Sequence, residues 1–294
     1  MTLQLTWYAP DGEPTVFSAT ATDYVLLKRY NGFSFTPVTH RTTRFPFQNG
    51  VTIQNSDGEP REISFEIMIK ADTLGALETL IENLSDQFNP LTTSGLYGDG
   101  FGLLVYEKAN GDTRRIYCKA SGSTLDMGVR NGTSQKAVIK LYAADPAWYS
   151  ATSHIEYLAG SGDAMFPWSF PWVVGGIAPS LTLTNDGTLD APITVIITGP
   201  ITNPVLTNTT TSKVITITKD LAGGESFKLS TEIGEQYAYF NASGVAPVNG
   251  MPYVDVASEF FQLVPGTNVI TLTNDAATDP AGASIEWSDR YVGV

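Results

Sequence analysis

The sequence predicts a mainly β protein of two domains, the first carrying one α-helix and the second built from strands and turns. Three observations predict it. Short alternating runs rich in Thr, Val and Ile recur along the chain between Gly, Pro, Asn and Asp, the pattern of strands joined by tight turns. One segment alone, 72–88, has helical periodicity. The length of 294 residues exceeds what a single hydrophobic core usually fills.

In the first half, SATATDYVLLKRYNGFSF reads as a strand, a turn at Asn31-Gly32 and a second strand. VTIQNSDGEPREISFEIMIK reads as a hairpin around Asp57-Gly58. Its second arm alternates Ile63, Phe65, Ile67 and Ile69 inward with Ser64, Glu66, Met68 and Lys70 outward. DTLGALETLIENLSDQF then places Leu74, Leu77, Ile81, Leu84 and Phe88 on one helical stripe, with Asp72 or Thr73 as N-cap. Asn89-Pro90 stops the helix, because proline disfavours a helical predecessor. GLLVYEKANGDTRRIYCKAS, turning at Asn110-Gly111, and SQKAVIKLYAADPAWY complete an α+β layout in which the helix packs across a sheet face.

The boundary falls between Asp145 and Gly162, giving domains 1–150 and 151–294. Asp145-Pro146-Ala147-Trp148-Tyr149 ends the last strand, and Gly160-Ser161-Gly162-Asp163 has a flexible composition. Beyond it, SLTLTND, APITVIITG, KVITITK, ESFKLST, YAYFNAS, FFQLVPG, NVITLTN and SIEWSDRYVGV follow at short intervals. Such spacing predicts a sandwich or jelly roll.

Charge narrows the function classes. The net charge is −13, with 13 Lys+Arg against 16 Asp+Glu in residues 1–150 and 4 against 14 in 151–294. A nucleic-acid surface needs clustered cations to displace counterions, and the second half has almost none. Cys118 is the only cysteine, so no disulfide forms within the chain. Its strand-like setting RIYCKAS is that of a buried structural thiol. The opening MTLQLTWYAPDG has neither the basic nor the apolar region of a signal peptide, and no run is long enough for a membrane helix.

Catalytic equipment is sparse. His40 and His154 stand far apart and outside any metal-ligand spacing, and no GxSxG elbow is present. Gly98-Asp99-Gly100-Phe101-Gly102 lacks the lysine and helix of a phosphate loop and reads as a turn. A glycosidase pair could be sought in Glu286 beside Trp287, or in Asp255 or Glu259 near Phe260. In a chain this acidic, these read as solvated carboxylates beside core aromatics. No catalytic, metal or cofactor residue is expected.

The aromatics are the candidate interaction or junction residues. In the stretch 166–172, Phe166, Trp168, Phe170 and Trp172 alternate with Pro167, Ser169 and Pro171, so one face of an extended segment carries the rings. A sugar-binding platform is one reading. A plug closing the sandwich or sealing the domain junction is the other, favoured because proline pre-sets an extended edge segment. Trp148 and Tyr149 read as a structural corner whose turn Asp145 caps.

Taken in order, several phrases resemble the siphophage distal tail protein (Dit) family, the siphovirus tail components. They are the hairpin preceding the single helix that ends in Asn89-Pro90, Asp145 to Tyr149, FPWSFPW, LTLTNDGTLDAPITVIITGPITNPVLTNTTTSKVITI, Leu221 to Glu225, LVPGTNVITLTND and ASIEWSDRYVGV. The resemblance implies a structural virion protein, not an enzyme, with an N-terminal domain that closes a homo-hexameric ring and an outer galectin-like β-sandwich. It implies a place at the tail tip. The partners there would be the tail tube protein, the tape-measure protein and a tail-tip lysin or receptor-binding protein. DNA would pass the channel without specific binding, and no membrane or cofactor would take part. Synthesis in the host bacterial cytoplasm is expected. A carbohydrate-binding adhesin is the alternative.

Overall fold

In a computed structural model, the described residues are 3–108, 110–159, 180–232, 234–275 and 282–294, with the backbone alone at 122–126 and 129. The chain divides into two compact units, Met1–Ala151 with Tyr291–Val294, and Thr152–Arg290.

The first unit contains β1 (Gln4–Tyr8), β2 (Pro14–Ser18), β3 (Tyr24–Asn31), β4 (Val38–Thr43), β5 (Thr52–Gly58), β6 (Arg61–Lys70), α1 (Leu74–Gln87), β7 (Gly102–Glu107), β8 (Thr113–Asn131), β9 (Ser134–Ala143) and β10 (Trp148–Ser150). Its main sheet runs β10-β8-β7-β1-β2-β3-β6-β9. The long β8 pairs with β7 through Thr113–Cys118 and then with β9 from Lys119 onward. The seven strands from β7 round to β8 therefore close into a barrel. Alternation fills it: Ile63, Phe65, Ile67 and Ile69 of β6 are all buried, facing Leu5, Trp7, Leu104, Ile116, Ile139 and Leu141 in one core.

The barrel has one weak seam. β2 and β3 meet in parallel at a single residue pair, Ser18 with Val25. The helix lies at that seam. Thr73 caps its first turn by accepting from the Ala76 N–H, as the sequence predicts. Leu77, Leu84 and Phe88 bury into the barrel core; burying each leucine contributes roughly 1.5–3 kcal/mol. Trp7 stacks on Phe88 with centroids 4.9 Å apart, and the Tyr24 hydroxyl donates to the Leu80 carbonyl at 3.1 Å. Leu74, expected on the buried stripe, is exposed.

Two expected hairpins are corrected. β5 does not pair with β6 around Asp57-Gly58; it pairs with β4, from Val38 opposite Gly58 to Thr43 opposite Thr52. The segment QNSD of β5 has no apolar face to bury in a barrel, whereas β6 carries four buried side chains, so β6 joins β3 and β9 instead. The turn at Asn31-Gly32 forms, with Gly32 at φ +83°, but no returning strand follows. A Cβ on Gly32 would sit 2.0 Å from the Glu62 carbonyl, so the chain crosses against β6, and Phe33 drops into the core.

The second unit contains β11 (His154–Ala159), β12 (Ser180–Asn185), β13 (Ile193–Thr198), β14 (Val205–Asn208), β15 (Lys213–Thr216), β16 (Ser226–Ser230), β17 (Tyr237–Asn241), β18 (Val248–Asn249), a 3-10 turn at Met251–Tyr253, β19 (Gly266–Thr273) and β20 (Gly282–Trp287). One sheet runs β11-β20-β13-β16-β17-β18 and the other β12-β19-β14-β15. Val195, Ile197, Phe227, Leu229 and Ile285 of the first meet Leu183, Leu206, Ile215, Ile270 and Leu272 of the second in a single core. This is the predicted sandwich. FFQLVPG forms no strand; Phe261 and Leu263 bury, and Leu263 makes only an isolated bridge with Ala191.

Two buried asparagines inside the sandwich are matched. Asn185 donates from Nδ2 to the Leu189 and Leu263 carbonyls, each at 2.9 Å, and accepts from Gly187 N–H. Asn268 donates to the Val264 carbonyl at 2.7 Å and accepts from Asn208 at 3.3 Å. These asparagines replace turn backbone bonds that burial would otherwise leave open.

The last strand, β21 (Arg290–Tyr291), adds next to β10. Residues 291–294 thus belong to the first unit, not to the second as the sequence reading has it. The buried Arg61 and the partly buried Arg114 hold them there.

Candidate functional site

The corner Asp145 to Tyr149 is built around a carboxylate. Asp145 accepts from the Ala147 N–H at 3.0 Å through one oxygen and from the Tyr149 hydroxyl through the other. Trp148 is fully buried in the first unit, stacked on Phe33 at 5.8 Å and edge-on to Tyr106 at 6.3 Å. Tyr149 is half-buried, edge-on to Tyr117 at 6.1 Å. Phe166, Trp168, Phe170 and Trp172 lie outside the described residues.

Beside this corner, Arg61 is wholly buried at the start of β6. Its guanidinium donates to the carbonyls of Gly32 (2.8 Å), Ser34 (3.4 Å) and Val292 (2.5 Å) and to the Thr36 hydroxyl (2.9 Å). Burial pulls the affinity of this guanidinium for its proton downward, opposed in part by Cys118 and Asp145. Arg114 completes the clamp by donating to the Gly293 carbonyl and lying 3.6 Å over the Tyr291 ring. A Cβ on Gly293 would come 1.8 Å from the Ser34 carbonyl, so only glycine fits.

The residues with chemical potential are dispersed. His40, on β4, bonds the Ser56 hydroxyl at 2.8 Å through Nδ1. His154 belongs to the other unit, stacked on Trp287 at 5.0 Å and bonded to Asp289 at 3.1 Å. Asp255 caps a turn by accepting from Ala257 N–H at 2.8 Å, while Glu286 points outward from β20. Gly98 to Gly102 is a turn, with the Phe101 N–H bonded to the Gly98 carbonyl at 2.8 Å. Cys118 is buried, and burial pushes its thiol up, away from the reactive thiolate. Among the described residues, no three His, Cys, Asp or Glu side chains come together as a metal site.

The surfaces open to partners are of another kind. β4 and β5 form a separate two-stranded sheet, an arm not hydrogen-bonded into the barrel. Its tip carries Arg44, Phe45, Pro46, Phe47, Val51 and Ile53, all exposed, with Phe45 58% accessible. Phe47 adopts φ +66°, a left-handed backbone that a bulky aromatic rarely takes, which turns its ring out to solvent. Gln48 braces the tip: its side chain accepts from Phe45 N–H at 3.1 Å and donates to the Thr52 hydroxyl at 2.8 Å. Sequence reasoning missed this arm. Its signal was FPF between two polar strands, aromatics with no inward-facing alternation to bury them.

The second surface is a groove of about 670 Å³ between β2 and α1, along the barrel seam. Val16 and Leu80 give it apolar walls, and Asp11, Glu13, Asp23 and Asp86 ring it; no lysine or arginine lines it. None of the four carboxylates takes part in an ion pair of the described residues.

The barrel unit and the sandwich unit each match a component of phage tails. Residues 21–143 match the phage tail protein RIFT-related domain, and residues 186–291 match the siphovirus-type tail component C-terminal domain. Together the two matches span well over half of the chain, which belongs to the siphovirus distal tail component family. The fold is shared with SPP1 Dit (gp 19.1), described as a paradigm of the hub adsorption apparatus in Gram-positive infecting phages. That likeness has 14% identity, covers 97% of this chain and 98% of the other, and has a TM-score of 0.67. A chain of the phage P2 baseplate in its activated conformation with Ca matches at 11% identity over 100% of both chains, TM-score 0.55. A chain of the p2 baseplate with Sr matches at 10% over 97% of both, TM-score 0.52. No curated protein matches in sequence.

Proposed function

We propose that this phage tail hub protein forms a hexameric ring at the tail tip, joining the tail tube to the tip or host-adhesion proteins. The observation that carries the reading is the pair of family matches in tandem over a fold shared along its whole length with a hub protein. The mechanism is mechanical. Heterologous contacts that close after six copies give a ring, and each must bury on the order of 1,000 Å² or more to persist. In this reading the barrel unit makes the ring, and the sandwich serves the outer partners. The tape-measure protein and a tail-tip lysin or receptor-binding protein dock axially. An acidic chain, −13 overall, lets DNA pass without binding it. The ring acts in the virion, is assembled after synthesis in the host cytoplasm, and turns over no substrate.

Negative-stain imaging of the purified chain tests this. Six-fold rings with an open centre are expected. Particles of single chains at every concentration up to tens of micromolar would overturn it.

A further inference from the structure

We propose that the groove between β2 and α1 takes an extended, basic segment of a different tail protein, which adds to the open side of β2 as an extra strand. The proposal goes beyond the ring and holds whether or not rings form.

The backbone of β2 makes the first argument. The Ala9 N–H donates to the Glu13 carbonyl at 3.0 Å, and the pairing with β1 continues to Gln4 opposite Ser18. Bonded and non-bonded positions alternate in such a ladder, so Thr15 and Phe17 turn their backbone groups towards β1, while Pro14, Val16 and Ser18 turn theirs to the seam. Ser18 meets Val25 of β3 there, but Val16 has no strand opposite it among the described residues. Across the groove stands α1, whose backbone is bonded within itself and offers no ladder. The Val16 N–H and carbonyl are therefore an open edge, and an extended segment is what such an edge pairs with.

The side chains say which segment fits. α1 runs alongside the seam: Tyr24 bonds the Leu80 carbonyl at one end, and Thr15 bonds Gln87 at the other. Val16, 43% exposed, and Leu80 are the apolar walls, and Asp11, Glu13, Asp23 and Asp86 stand around them. A strand with an apolar residue against Val16 and lysine or arginine towards both ends matches that distribution. This chain is a poor source of one. Residues 151–294 hold 4 Lys+Arg against 14 Asp+Glu, and in the first unit Arg29, Arg41, Lys108, Arg114 and Arg130 already face carboxylates. A different, basic partner is the complement.

A short blocked peptide of alternating lysine and valine, titrated into the full chain, tests this. It should bind, weaken as salt is raised, and lose binding when glutamate replaces its lysines. Deuterium uptake at residues 14–18 should fall when it binds. Val16→Pro removes only the edge N–H and should melt like the parent, since an edge strand tolerates proline, yet weaken binding by about tenfold or more. Asp23→Asn with Asp86→Asn should weaken it by a similar factor, and this pair carries the test should Val16→Pro melt early. A wild-type chain that ignores the peptide, or binding left intact by the carboxylate pair, would overturn the proposal. So would protection of residues 14–18 on self-association alone, which would give the groove to a second copy. Imaging of the same samples for rings reports separately on the hub reading.

Discussion

Arg61 on β6 donates to the backbone carbonyl of Val292, 231 residues away, and so ties the last residues of the chain to the first compact unit. The second unit is in effect inserted between Ala151 and Tyr291. Three more acceptors share the guanidinium, and all are uncharged. Its role is geometric: one planar fork satisfies carbonyls from segments that no strand pairing reaches.

Arg61→Ala should destabilise the first unit by about 2–4 kcal/mol, since buried carbonyls lose their donor. Deleting Tyr291–Val294 should produce a loss in the same unit, although those residues lie far from it in sequence. Denaturant unfolding followed by Trp7 and Trp148 fluorescence checks both. An unchanged midpoint for either variant would remove the clamp from the account.

The helix closes the barrel seam through Leu77, Leu84 and Phe88. Leu84→Ala should cost about 2–5 kcal/mol, because the core relaxes only partly around a lost side chain. Leu74→Ala, in the first helical turn and exposed, should stay within about 0.5 kcal/mol of the parent. Thermal melts of the two side by side would show the contrast.

Burial, and after it the Asp23 carboxylate, push the Tyr24 phenol up from 10.0 to about 12. The folded protein keeps that proton at pH values where the unfolded chain has released it. The contribution is therefore complete below pH 10 and is lost as pH rises towards about 12. Stability measured across that window should fall less steeply in Tyr24→Phe than in the parent. Parallel curves would show that Tyr24 is not the group responsible.

Cys118 should resist a thiol reagent while the barrel is closed and react as it opens. Buried among Ile116 and its neighbours, the thiol meets neither solvent nor an activating base, and burial holds it protonated. Labelling rates with rising denaturant should track unfolding of the first unit. Fast labelling of the native chain would contradict the burial.

Much of this was legible from residues. The stripe of Leu77, Leu84 and Phe88 and the alternation of β6 come straight from periodicity, and Asn110-Gly111 joins β7 to β8 as turn chemistry dictates. What could not be read was partner choice. β5 has turn residues after it and a strand behind them, yet it pairs backward with β4, because pairing is decided by which faces bury and not by which strands are adjacent. Arg61 stands at a strand start, and nothing local signals that four acceptors from other segments converge on it. Trp148 read as a corner residue and lies at the centre of an aromatic cluster with Phe33 and Tyr106. The arm escaped notice because exposed aromatics declare themselves only once the core is seen to be complete without them.

Native mass measurement of the intact chain at micromolar concentration tests the hub most directly. The account predicts a species of six copies of the 31.7 kDa chain, reached through open intermediates of fewer copies as a heterologous contact requires. A two-copy species that does not grow with concentration, or single chains throughout, would contradict it.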